Sequence, residues 1–73
     1  MSEAKLRVYS ELNELKDRIL KLGNFVKTET FNKLEEESRL LLLEQLHIMN
    51  AYTCVLVRRL DAWKEIKEGE NNE

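Results

Sequence analysis

Residues 34–67 read LEEESRLLLLEQLHIMNAYTCVLVRRLDAWKEIK, and this stretch decides the fold. It holds no glycine or proline. Glu35, Glu36 and Glu37 open it, where carboxylates complement the positive end of a helix dipole. Gly69, two residues past its end, supplies a natural stop. The pattern predicts one helix over 34–67, about 50 Å long at roughly 1.5 Å per residue. With Leu42 set at zero and about 100° added per residue, Leu42, Leu46, Met49, Leu56, Leu60 and Trp63 form one seam. On the same count Leu41, Ile48 and Val55 fall about 100–140° to one side, and Val57 about 60° to the other. The apolar arc is roughly 200° wide, about twice what a one-sided surface helix needs. Such a helix requires two neighbours.

One neighbour lies upstream. Val8, Leu12, Leu15, Ile19, Leu22 and Val26 step alternately by four and three, the stripe of an amphipathic helix. Helix 1 is expected over 3–22, with Ser2 as N-cap and Glu3 in the first turn. Glu14 with Arg18, and Asp17 with Lys21, are spaced for i,i+4 pairing on the wet side. Gly23-Asn24 is the expected stop, because both residues tolerate the left-handed conformation that ends helices. In the connection, 23–33, Thr28 and Thr30 are candidate N-caps, and Phe31 with Leu34 can pack a short helical turn against the end of helix 1.

Helix 1 is about 30 Å long. Folded back on helix 2, it is expected to cover little beyond Tyr52 and to leave Leu56, Leu60, Trp63 and Ile66 bare. Chains do not normally leave that much apolar surface wet. The expected fold is therefore all-α: a hairpin of short helix 1 and long helix 2 that assembles into an oligomeric helical bundle. Residues 1–68 form the single helical domain, and the polar end 69–73 is expected to be disordered.

Composition narrows the rest. Seventy-three residues make one small domain, and a core of that size usually needs a staple or association. Cys54 is the only cysteine, so disulfide staples are excluded. With His47 as the only histidine, a zinc site lacks ligands. A single thiol without a signal-peptide pattern fits a reducing cytoplasm. The longest uninterrupted apolar block is Leu40 to Leu43, far short of the roughly 18–20 residues that span a bilayer, so no membrane partner is expected. Twelve basic and 14 acidic residues give a net charge of −2. That balance argues against polymeric nucleic acid, whose binders show a basic face. Zero prolines, two glycines and 36% charged residues are the signature of helical bundles.

Gln45, Tyr52 and Arg59 recur every seven residues and form one row on helix 2, inside the apolar arc. Polar groups there are costly unless partnered. They fit either of two roles. Between subunits they can hold a ligand, the arginine taking an anion, the tyrosine a ring and the glutamine an edge. Alternatively they form a polar layer that fixes register in a bundle. Arg7, Tyr9, Arg39 and Arg58 are further candidates for an anion site, since guanidinium forks match phosphate and stack on bases. As plain surface charges, Glu3 would pair with Arg7 and Glu35 with Arg39. Trp63 and Met49 read as core or interface residues, His47 as a surface histidine. Cys54 has no base or helix N-terminus to activate it. With one His and one Cys, no nucleophile–base pair is spaced for catalysis, and phosphate-loop, dinucleotide and metal motifs are missing. No enzyme activity and no cofactor are expected.

The run from Leu42 to Tyr52, followed by Leu56 and Arg59, resembles a motif of small tailed-phage accessory proteins. Arg7-Val8, Phe25-Val26 and Phe31 with Leu34 fit the same pattern, so the resemblance extends over about 7–63. It implies a two-helix phage protein that counters bacterial defence. It also makes plausible a small helical oligomer that sequesters a nucleotide second messenger. Under that resemblance Gln45, Tyr52 and Arg59 match the motif's polar positions, with Arg7 next. The alternative is a helical protein-interaction module that inhibits or scaffolds a host or phage protein.

Overall fold

The structure is a computed structural model and describes residues 2–65. Helix α1 runs Glu3–Phe25, the one-turn helix α2 Glu29–Asn32, and α3 Glu36–Glu65. No strand occurs among the described residues, so the fold is all-α. Ile66 and the expected 69–73 tail lie outside the described residues.

Helix α1 starts where its capping chemistry places it. Ser2 is extended, and its Oγ accepts a hydrogen bond from the Lys5 N–H at 3.1 Å. Val8, Leu12 and Leu15 of the predicted stripe are buried. Asp17 and Lys21 pair on the outside at 3.1 Å. The helix does not stop at Gly23-Asn24. It passes through both to Phe25, and no described residue takes the left-handed conformation on which that stop depends. A threonine ends it instead. The Thr28 hydroxyl donates to the Phe25 carbonyl at 2.7 Å and accepts from the Phe31 N–H at 3.2 Å. One side chain thus closes α1 and caps α2. Thr28→Ala should cost about 1 kcal/mol, the usual loss of an N-cap, read as a lower urea midpoint at unchanged slope.

The single turn of α2 buries Phe31. Its ring meets Phe25 edge-on, with centroids 6.0 Å apart and planes at 85°. This is the short turn packed on helix 1 that the sequence suggests. The chain then reverses, and α3 returns alongside α1 to form a rod of 54 × 15 × 14 Å.

The core lies between the two long helices. Val8, Leu12, Leu15, Leu56 and Leu60 form it, with Tyr9, Ile19, Met49 and Trp63 packed at its edges. Leu56 is 0% exposed and Leu60 5%, which corrects the expectation that the far end of the long helix is bare. The cause is register. Helix α1 is longer than the glycine signal implies, and the connection holds back the start of α3 to Glu36. Tyr52 therefore meets Glu11, in the middle of α1. The stretch from Glu11 back to Glu3 is left to cover Leu56 and Leu60.

The second apolar row remains outside. Leu41, Ile48 and Val55 are 58%, 58% and 49% exposed. The hairpin supplies one neighbour to α3, and the wide arc still wants another. With so few charges on either row, the stretch Glu36–Trp63 is long and apolar enough to cross a membrane, by length and composition alone. The count of uninterrupted apolar residues does not register this.

Candidate functional site

The outward flank of α3 brings together Tyr52, Arg58 and Arg59 of the sequence-predicted residues. Tyr52 is exposed, and its hydroxyl donates to the Glu11 carboxylate across the hairpin. That bond fixes the ring against α1 instead of leaving it free on α3. Acceptance of the phenol proton by Glu11 raises the tyrosine above its ordinary pKa. Partial burial and the glutamate charge add to the rise, and the Arg59 charge opposes it. A phenol whose folded pKa is raised contributes stability below its ordinary value near 10, and that contribution is lost as pH climbs through the raised value. The contact is therefore intact throughout the neutral range. Absorbance titration near 295 nm should show Tyr52 ionising later than an ordinary tyrosine, and Glu11→Gln should bring it back.

Nearly two turns beyond Tyr52, Arg58 and Arg59 line a concavity of about 590 Å³, together with Val55, Asp61 and Ala62. It opens onto the exposed apolar row. Tyr52 and Arg59 are close enough to interact electrostatically. Two guanidinium groups, the Asp61 carboxylate and the apolar Val55 and Ala62 thus share one exposed concavity, with the Tyr52 ring within electrostatic reach of Arg59. Such a surface can stack on a base and fork onto a phosphate.

The other candidates are dispersed. Gln45 lies further back toward the turn, its amide directed at the Met49 sulfur at 3.9 Å. Arg7 pairs with Glu3 at 3.5 Å, as its spacing suggests, with both side chains largely in solvent. Tyr9 is half-buried against the core, which makes it a packing residue. Arg39 is half-buried at the start of α3, and its Nε is enclosed without a partner. The expected Glu35 carboxylate does not satisfy that atom. His47 and Cys54 are exposed, and Cys54 is a free thiol. No group of three His, Cys, Asp or Glu side chains suited to a metal occurs among the described residues.

Glu11 is the residue that sequence reasoning misses. It is one of 14 acidic residues and stands on the wet side of an amphipathic helix. Only the register of the hairpin, which brings it opposite Tyr52, singles it out.

Fold and surface together define the class: a small all-α hairpin with an outward apolar row carrying a tyrosine and an arginine. The chain belongs to the Sequestin family, whose model matches residues 2–62. That span includes every candidate residue named above. The family name denotes sequestration, which implies binding a ligand or partner rather than catalysis. No curated protein and no solved structure matches the chain.

Proposed function

We propose that this protein binds and sequesters a nucleotide second messenger, a cyclic oligonucleotide or an ADP-ribose derivative, without cleaving it. In this reading it is phage-encoded, acts in the host cytoplasm and counters a bacterial defence. The observation that carries the proposal is the concavity lined by Arg58 and Arg59 beside the anchored ring of Tyr52. The arginines answer the phosphates and the tyrosine the base, while Val55 and Ala62 offer apolar contact. Sequestration needs only mass action, so tight binding and abundance replace turnover. The exposed row of Leu41, Ile48 and Val55 supports a homo-oligomer in which pockets lie between subunits.

Calorimetry against a panel of signalling nucleotides tests this directly. One member should bind tightly and be recovered chemically intact after the protein is denatured. A flat response to every member would remove the proposal, and recovery of a hydrolysed product would replace it with an enzyme.

The same exposed row also suits a foreign helix, which keeps a protein-interaction module as the second reading. That reading expects a monomer by light scattering until the partner is added.

A further inference from the structure

The concavity at the end of α3 holds a group that phosphate binding does not ask for. Asp61 lines it beside Arg58 and Arg59. A carboxylate next to two guanidinium groups weakens their attraction for any anion. Its presence points to a part of the ligand that donates hydrogen bonds.

Helical spacing orders these side chains across the face. On a count of about 100° per residue, Arg58 and Arg59 fall about 100° apart, with Val55 and Ala62 between them. Tyr52 falls about 20° beyond Arg59 on one side, and Asp61 about 60° beyond Arg58 on the other. Tyr52 is within electrostatic reach of Arg59. The groups therefore run ring, cation, apolar pair, cation, carboxylate. A ligand laid across them presents a base, two phosphates and a hydrogen-bond donor in that order.

We infer that the donor is a ribose cis-diol, that the sequestered messenger is an ADP-ribose derivative, and that Asp61 selects it. An ionised carboxylate only accepts, and its two oxygens can take two neighbouring hydroxyls as a pair. Asp61 is already engaged within the chain, yet a carboxylate offers about four lone-pair sites, which leaves room for the diol. ADP-ribose carries adenine, then a diphosphate, then a ribose with free neighbouring hydroxyls, the order of the face. In a cyclic oligonucleotide each ribose is esterified at its 2′ or 3′ oxygen, so no vicinal pair survives. Such a ligand satisfies the arginines and brings Asp61 no diol. The inference rests on the nucleotide reading of the proposed function and narrows it to one of its two ligand classes.

ADP-ribose and 3′,3′-cyclic di-AMP form the test pair. Both carry adenine and a pair of singly charged phosphate groups, so charge is matched and the free diol is not. In calorimetry the wild-type protein should bind ADP-ribose about tenfold or more tightly than cyclic di-AMP, as hydrogen bonds to a charged acceptor provide. Asp61→Asn keeps the shape and removes the charge. It should weaken ADP-ribose by about tenfold or more and leave cyclic di-AMP unchanged or slightly tighter, because a repulsive charge is gone. Asp61 is exposed, so the variant should keep a wild-type circular dichroism spectrum. No loss of ADP-ribose binding, or an equal loss for both ligands, would overturn the role of Asp61. Tighter wild-type binding of cyclic di-AMP, or heat only with some other nucleotide that lacks a vicinal diol, would overturn the ligand class and leave sequestration standing. Silence from every nucleotide would remove the nucleotide reading itself.

Discussion

Leu56→Ala should remove a large part of the stability of the hairpin. Among the described residues Leu56 is the one large side chain completely enclosed, and it stands among Val8, Leu12, Leu15 and Leu60. Truncating such a leucine loses its transfer free energy and leaves a void, together about 2–5 kcal/mol. A domain of this length has roughly 4–11 kcal/mol in total. The rod is two helices thick, so no third layer is available to fill the hole. Equilibrium urea denaturation at fixed protomer concentration should show the midpoint falling steeply, because association would otherwise shift it. A loss under about 1 kcal/mol would mean that Leu56 is not in the core, and the register would have to slip.

The contrast with Ile48 sharpens the test. Ile48→Ala removes a comparable side chain from the exposed row, where the hairpin offers no cavity to leave behind. Its effect on the monomeric hairpin should be small. Its effect on association should be large, seen as a midpoint that no longer rises with protein concentration. Leu56 lowers stability at every concentration. The two apolar rows of α3 therefore separate by experiment into an intramolecular row and an intermolecular one.

That separation marks where the sequence is legible. Angular spacing identifies both rows correctly, because side-chain direction along a helix depends only on residue count. The Leu56–Leu60 seam is in the core, and the Leu41–Ile48–Val55 row faces outward. Hairpin register is different, since it depends on where each helix ends. Gly23-Asn24 looks like a terminus, yet glycine only permits a left-handed cap and does not impose one. The Thr28 hydroxyl, bonded to both Phe25 and Phe31, settles the boundary downstream of it. Three residues of extra helix and a connection shifted downstream to 26–35 move Leu56 from bare to buried. The argument for a second neighbour consequently stands on the width of the arc, without any mismatch of helix lengths. The same register places Glu11 at Tyr52, a pairing no local pattern announces. Candidate residues on α3 were legible as a row, and the α1 residue that anchors one of them was not.

Arg59→Ala should abolish nucleotide binding while leaving the protein folded and associated. Arg59 lines the concavity beside Tyr52 and contributes nothing to the core between α1 and α3. Arg59 is exposed in the hairpin, so a cost of about 2–5 kcal/mol, that of a buried charge pair, applies where the bound nucleotide and a second subunit enclose it. At about 1.4 kcal/mol per decade, that is a loss of roughly 30- to 3000-fold in affinity. Arg59→Lys separates charge from geometry. Lysine keeps the cation but loses the planar fork, so it should recover part of the loss and show a steeper weakening with salt. Tyr52→Phe separates stacking from anchoring in the same way. The ring remains for a base to stack on, but the bond to Glu11 is gone, so binding should weaken less than with Tyr52→Ala. If the three arginine forms bind one nucleotide equally while Val55→Asp abolishes its binding, the guanidinium is not the anion's partner. The sequestering surface would then have to be sought where Arg39 encloses its unpartnered Nε at the start of α3.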